Sequence, residues 1–244
     1  MAKNSAHPSR IYLDEFDFSG SLTSTSLDIT QEAPVVTSFA DAGPRRVVGN
    51  YELAQSHSGL FESTDNGVDE QTFLLLADGT DHYLTQLFGA NVAGSVAYDS
   101  IVQLTANPRS AAIGGAVLMN FDTAGGGGLS RGVVLASKTS TAAETIPGAT
   151  DGWNQGATTS GQSLRAIFRV FAFTGTSITM KIQHCATQGG AYVDVTSLTS
   201  TAMTANQVQS VTVTSATNAY KHVVTTGTYS SALILVTLGT VQGT

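Results

Sequence analysis

Apolar and polar residues alternate strictly along much of the second half of the chain. In Ser177–Cys185, Ile178, Met180 and Ile182 alternate with Thr179, Lys181 and Gln183, the period of a strand with one buried face. Upstream, Leu164, Ala166, Phe168, Val170 and Ala172 fall on one side, and Arg165, Ile167, Arg169, Phe171 and Phe173 on the other. The connection Thr174-Gly175-Thr176 is short enough to predict a hairpin. Further strands are predicted at Tyr192–Thr196, Val208–Thr214, Tyr220–Thr226 and Ala232–Leu238, with turns at Gln188–Gly190, Ser215–Asn218 and Gly227.

The first half also reads as mainly β, with strands at Arg10–Leu13, Leu22–Thr30, Val47–Phe61, Val96–Leu104 and Ala116–Phe121. Gly67–Ala77 differs, because Val68, Thr72, Leu75 and Leu76 recur at helical spacing. Asp65 or Asn66 could cap this helix, Gly79 suits a left-handed terminator, and Asp69 and Glu70 fall in the first turn, where the helix dipole favours acids. The competing reading makes Asn66-Gly67 a hairpin turn. Thr123–Leu129, with four consecutive glycines, reads as a joint between halves, and Thr139–Gly161 as a long functional or interface loop. The expected organisation is an arm over residues 1–20, a β-rich half over 21–124 and a second over 129–244, or one continuous domain over 21–244. Strands recurring at short intervals predict a mainly β fold, an antiparallel β-sandwich or barrel with one flanking α-helix and long interface loops.

Composition narrows the function. The 244 residues are only 12% charged, and 58 Ser and Thr supply most of the polarity. A net charge of −7 without a basic block argues against wrapping nucleic acid. No apolar run approaches a bilayer span, the first ten residues lack the apolar core of a secretory signal, and one Cys cannot form an intrachain disulfide; synthesis in a cytoplasm is expected. Charge is uneven. Residues 1–99 hold 14 acids against Lys3, Arg10, Arg45 and Arg46, a balance of −10, whereas residues 100–244 carry +3.

A search for chemistry returns no constellation. No Gly-x-Ser-x-Gly occurs. His184 and Cys185 are strand neighbours pointing to opposite faces, His184 toward the core rim and Cys185 with Lys181 and Gln183. His7, His57, His82, His184 and His222 lack metal-site spacing, although His57 and His82 lie near acids. The acid groups Asp14/Glu15/Asp17, Asp65/Asp69/Glu70 and Asp78/Asp81 lack the aromatic cleft of a glycosidase and the full pattern of a calcium loop. Gly125–Gly128 precedes a strand, not the helix a phosphate cradle requires. The expectation is a binding or assembly component, not an enzyme, with no cofactor and no metal.

Ile11–Gly20, an aromatic-rich strand followed by acids and Phe18-Ser19-Gly20, resembles the opening of major tail tube proteins of long-tailed bacteriophages. Leu27–Thr30, the loop and return strand over Val36–Gly49, and Ser58–Glu62 resemble the segments that follow in that family, in order, over about residues 10–80. Ile178–Val195 with Tyr220–Tyr229 resembles a hairpin pattern frequent in phage virion proteins, departing from it at His184-Cys185-Ala186. The resemblance implies a virion protein of the tail, assembled in the host cytoplasm as homohexameric rings stacked into a tube. It implies tape-measure and tail-terminator partners, no membrane, and genome DNA passing without specific binding. Under it, Asp14, Asp17, Asp28, Glu52 and Glu62 are candidate lumen-facing acids. Ile11, Tyr12, Phe16, Phe39, Asp41, Arg45, Arg46, Asp69 and Glu70 are candidate contacts between subunits or rings. The alternative is a capsid-decoration or receptor- or carbohydrate-binding β-sandwich module of a virion.

Overall fold

A computed structural model of the chain describes residues 9–31, 33, 35–36, 43, 45–46, 51–62, 64, 67–111, 115–148 and 150–241. In the first half it contains β1 (Arg10–Leu13), β2 (Phe16–Asp17), β3 (Leu22–Gln31), β4 (Tyr51–Leu60), α1 (Val68–Asp78), β5 (His82–Leu87), β6 (Val96–Ala106) and β7 (Arg109–Ala111). The remainder comprises β8 (Val117–Ser140), β9 (Thr145–Ile146), β10 (Trp153–Asn154), β11 (Ser163–Cys185), β12 (Val193–Thr199), β13 (Gln207–Thr214) and β14 (Tyr220–Val241). All strand pairs are antiparallel, and the main path runs β12-β11-β14-β8-β6-β5-β1-β2. Among the described residues the fold is mainly β with one helix, as predicted.

Three long strands replace the short ones and joints read from the sequence. Thr174–Thr176 is not a hairpin: β11 runs through it and pairs with β14 from Leu164↔Thr240 to Cys185↔Tyr220. The register shifts between Val170 and Ala172 and again around Gly175, so the ladder bends where turns were expected. The first bulge also ends the simple alternation. Leu164, Ala166, Phe168 and Val170 point into the core, but beyond it Phe173 packs there and Ala172 is exposed. Ile178, Met180 and Ile182 then enter the same core. Both limbs of the bent ladder thus contribute to one apolar cluster, with β13 beside the first limb and β12 beside the second, a sandwich made from one folded ribbon.

Glycine permits the bend. Gly227 has φ 126, and a Cβ there would overlap the Ser177 carbonyl oxygen. Gly125–Gly128 is likewise no joint. It lies inside β8, which pairs with β6 on both sides of the run as Val102↔Gly125 and Ser100↔Leu129, the extra residues forming a bulge. β8 therefore belongs to both halves. It pairs with β4, β6 and β7 in one and with β14 in the other, so the predicted boundary at 124–129 falls within a strand.

The expected arm is also partly absorbed. From Arg10 onward the chain is sheet, β1 pairing with β5 as Arg10↔Leu87 to Leu13↔Leu84. Ile11 and Leu13 enter the first-half core with Phe18, Val102, Met119 and Phe121. Tyr12 points the other way, into a cluster with Leu87, Ala97, Val134 and Leu235, its ring 5.2 Å from Phe171. In α1, Gly67 takes the N-cap position without a side-chain cap, the proposed caps Asp65 and Asn66 lie outside the described residues, and Gly79 closes the helix at φ 65 as predicted.

Gly227→Val is expected to destabilise the protein by about 3 kcal/mol or more, since it adds positive-φ strain to a backbone overlap. Equilibrium denaturation would measure it, and a stability change under about 0.5 kcal/mol, the range of an ordinary surface site, would contradict the bend described here.

Candidate assembly surface

The register of β3, β4, β8 and β6 sorts their side chains onto two faces. Leu53, Gln55 and His57 of β4, Met119, Phe121 and Thr123 of β8, and Val102 and Leu104 of β6 are buried. The opposite face is polar. β3 and β4 pair as Ser24↔Ser58, Ser26↔Ser56, Asp28↔Ala54 and Thr30↔Glu52, and β4 continues onto β8 as Ser58↔Asn120 and Ser56↔Asp122. Gln103 and Thr105 of β6 extend this face, Thr105 Oγ1 donating to the Asp122 carbonyl at 3.2 Å. Asp28, Glu52 and Asp122 thus stand among hydroxyls and amides on one four-strand surface, and no Lys or Arg of these strands joins them. Leu60 and Leu118, a cross-strand pair, form its apolar end. Among the described residues β3 pairs only with β4, which leaves its other edge without a strand beside it.

Of the acids proposed from the sequence, Asp28 and Glu52 lie here and are exposed. Asp14 does not: it is buried in the two-residue β1–β2 turn at φ 48, a conformation Asp tolerates. Its carboxylate accepts from the Tyr83 amide at 2.8 Å and meets His82 Nδ1 at 2.7 Å, so it is turned inward and not presented on this surface. Asp17, on β2, is half-engaged at 3.9 Å from Arg10. Glu62 accepts hydrogen bonds from the Ser21 and Thr64 hydroxyls. Asp122 was missed, because nothing local indicates which strand will lie beside β4.

Among the proposed contact residues, Ile11 and Tyr12 are buried within the subunit and cannot reach a neighbour, and Phe16 is half-buried against Phe18. Phe39 and Asp41 lie outside the described residues. Arg45 and Arg46 are exposed on an extension of the β3–β4 hairpin, closed by the Val35↔Arg46 bridge. Asp69 pairs with Arg109, and Glu70 is exposed on α1.

Behind the polar face lies a buried polar layer. Thr25 Oγ1 is 2.8 Å from His57 Nδ1 and accepts from Gln86 Nε2 at 2.8 Å. The Gln55 amide oxygen accepts from Ser100 and Thr123. His57 stacks on Phe121 at 4.5 Å, and burial pushes its imidazole down to about 4. Deeper still, Arg169 is fully buried. It donates to the Asp14 carbonyl at 2.7 Å, the Tyr83 carbonyl at 2.7 Å and Thr85 Oγ1 at 2.5 Å, while Thr85 donates to Asp99. Burial raises the Asp99 carboxyl despite the facing Arg169 charge. His82 also lies within reach of Asp78 at 3.2 Å; burial lowers its pKa, but the two carboxylates outweigh burial and raise it. Lys221, on β14, donates to two carbonyls among the described residues, those of Gly156 and Asn218, and burial pushes its pKa down to about 8. Cys185 is buried beneath Gly190 rather than on the solvent side expected from parity. No group of three or more His, Cys, Asp or Glu able to hold a metal occurs among the described residues.

No family profile and no curated protein matches the sequence. Among solved structures, the chain is similar to one in the virion of a native gene transfer agent particle, at 22% identity and TM-score 0.43 over 53% of this chain and 98% of that one. A chain in the tail of the empty particle, of C6 symmetry, gives 18% identity and TM-score 0.41 over the same shares. The SPP1 Dit protein, described as a hub adsorption apparatus in phages infecting Gram-positive bacteria, gives 12% identity and TM-score 0.36 over 95% and 98%.

Two predictions test the buried layers. Arg169→Met leaves buried carbonyls without donors and is expected to cost about 3–5 kcal/mol, with only partial recovery in Arg169→Lys, which lacks the fork; urea titration reads both. His57, with an ordinary value of 6.5, takes up its proton more readily unfolded than folded. Stability should therefore fall as pH drops through the window from about 6.5 to about 4, by a few kcal/mol in all. His57→Phe should flatten that part of the profile relative to the wild type.

Proposed function

We propose that the chain is a virion structural protein that forms homohexameric rings stacked into a phage tail tube, through which the genome passes. The observation that carries this reading is the four-strand face of β6, β8, β4 and β3, which presents Asp28, Glu52 and Asp122 among hydroxyls and amides. A wall of this kind gives DNA phosphates no cations to displace counterions against, so the duplex slides without being held. The same sheet is solid on its other side, backed by the first-half core. The open edge of β3 suits pairing with a neighbour, which would extend the sheet around a ring and remove an aggregation-prone edge. The motif resemblance over about residues 10–80 supports the same reading. The lumen-facing set on this reading is Asp28, Glu52 and Asp122. Residues 1–8, the rest of the arm expected over residues 1–20, lie outside the described residues, and tape-measure and tail-terminator proteins are the expected partners within the virion.

Negative-stain electron microscopy over a concentration series is expected to show rings and tubes with a central channel. The triple variant Asp28→Lys, Glu52→Lys, Asp122→Lys should still assemble but retain double-stranded DNA in a salt-sensitive manner, as wild-type tubes do not. Particles without a channel at any concentration would overturn the tube. Tubes whose affinity for DNA is indifferent to the three lysines would overturn the assignment of this face to the lumen.

A further inference from the structure

His82 is enclosed by oxygens. It opens β5, and its side chain is 5% exposed between the β1–β2 turn and the end of α1. Nδ1 lies 2.7 Å from Asp14 Oδ2, while Nε2 lies 3.2 Å from Asp78 Oδ1 and 3.3 Å from the Leu75 carbonyl oxygen. With both carboxyls ionised, all three neighbours are hydrogen-bond acceptors. A neutral imidazole has one N–H and one lone pair, so it serves one side only. The imidazolium has two N–H groups and serves both.

The charges around the ring favour that form. Asp14 and Glu15 act on it from the β1–β2 turn and Asp78 from α1, whereas its partner on β6, Val102, is apolar. Arg169, which reaches this corner from β11, directs its donors to the Asp14 and Tyr83 carbonyls and to Thr85. Burial opposes a charged ring, but the two carboxylates outweigh it and lift the His82 pKa above its ordinary 6.5. The Thr80 amide, donating to Asp78 Oδ1 at 2.8 Å, holds that carboxyl below the usual range and keeps it an anion. Helix α1 also has no base in its last turn, so nothing on the helix itself balances the partial negative charge of its carbonyl end. His82 brings a cation to that end from the following strand.

We infer that His82 is a protonation-dependent clasp: as an imidazolium it ties the last turn of α1 to the β1–β2 turn, and on losing a proton it keeps Asp14 and lets the helix end go. Distance and burial set which contact survives. The Nδ1 contact is the shorter, and Asp14 is buried whereas the Asp78 side chain is 42% exposed, so the remaining proton stays on Nδ1. Release is local, because Val68, Leu75 and Leu76 pack against the first-half core and hold the body of the helix. The clasp contributes fully below pH 6.5, and its contribution is lost as the pH rises through the higher folded value. His57 behaves in the reverse sense, its contribution being lost on acidification.

The test uses the full chain with isotope-labelled histidine, from about pH 5.5 to about pH 8.5. NMR of the imidazole nitrogens reads the protonation state, His82 being assigned by the loss of its signals in His82→Gln and, independently, as the ring whose midpoint moves in Asp78→Asn. Hydrogen exchange over residues 72–80, corrected for the intrinsic pH dependence of exchange, reads the helix end. The expected result is a doubly protonated ring below a midpoint that exceeds 6.5, and an Nδ1–H ring above it. Corrected exchange at the helix end should quicken about tenfold across the same midpoint. Asp78→Asn should lower the midpoint and shrink the exchange step. A midpoint at or below 6.5, an Nε2–H ring at high pH, or corrected exchange indifferent to pH would overturn the clasp, as would an exchange step unchanged in Asp78→Asn.

Discussion

Arg169 fastens the two halves of this chain together. It is rooted in β11, yet all three of its hydrogen bonds end on first-half groups, the carbonyls of Asp14 and Tyr83 and the hydroxyl of Thr85. A planar guanidinium can direct donors to three acceptors at once, which an ammonium on a flexible stem cannot do with the same geometry. Asp14 serves the same junction from the other side, its carbonyl taking Arg169 and its carboxylate taking the Tyr83 amide and His82. The β1–β2 turn is thereby fixed against β5, and through His82 to the end of α1 at Leu75 and Asp78. An unpaired charge at such depth would be costly, so this junction constrains how β1, β5 and β11 can sit.

Around that junction the long strands determine shape by bending. β11 and β14 remain paired for their whole length, and the two limbs of the pair enclose one core because bulges and glycines near Gly175 and Gly227 turn the ribbon. β8 does the equivalent work between halves, carrying Gly125–Gly128 as a bulge while its ends serve different cores. One strand, β8, paired on both sides of the junction, together with Arg169 across it, leaves little scope for the halves to act independently. That rigidity suits a wall or a ring component better than a hinge.

Two surfaces of the resulting body are out of the ordinary. One is a polar face whose charges, among the described residues of its strands, are acidic, and the other is a helix that packs Val68, Leu75 and Leu76 inward yet leaves Phe73 and Leu74 exposed. Neither serves the stability of an isolated subunit. Hydroxyl-rich strands gain little from exposure, and exposed Phe73 and Leu74 add association risk. Both are intelligible if the subunit is one element of a larger assembly.

The sequence by itself determined the secondary structure wherever a local signal existed. Period-two alternation marked the Ile178–Ile182 limb, strand-like stretches marked β1, β3 and β6, and the helical spacing of Val68, Thr72, Leu75 and Leu76 with the Gly79 terminator marked α1. It also determined the acidic character of the first half and the lack of a catalytic spacing. Only the tertiary structure decided whether a glycine between two alternating stretches was a turn or a bend. Gly175 and Gly227 read identically in either case, because both need a backbone free of Cβ, and what separates the outcomes is the strand alongside. The same holds for the charges. Asp14 and Asp28 are indistinguishable in a sequence, yet one is buried against His82 and the other stands beside Glu52 and Asp122. Register between distant strands sets that difference, and register is fixed by which faces bury together, information spread over the whole chain rather than held near any one residue.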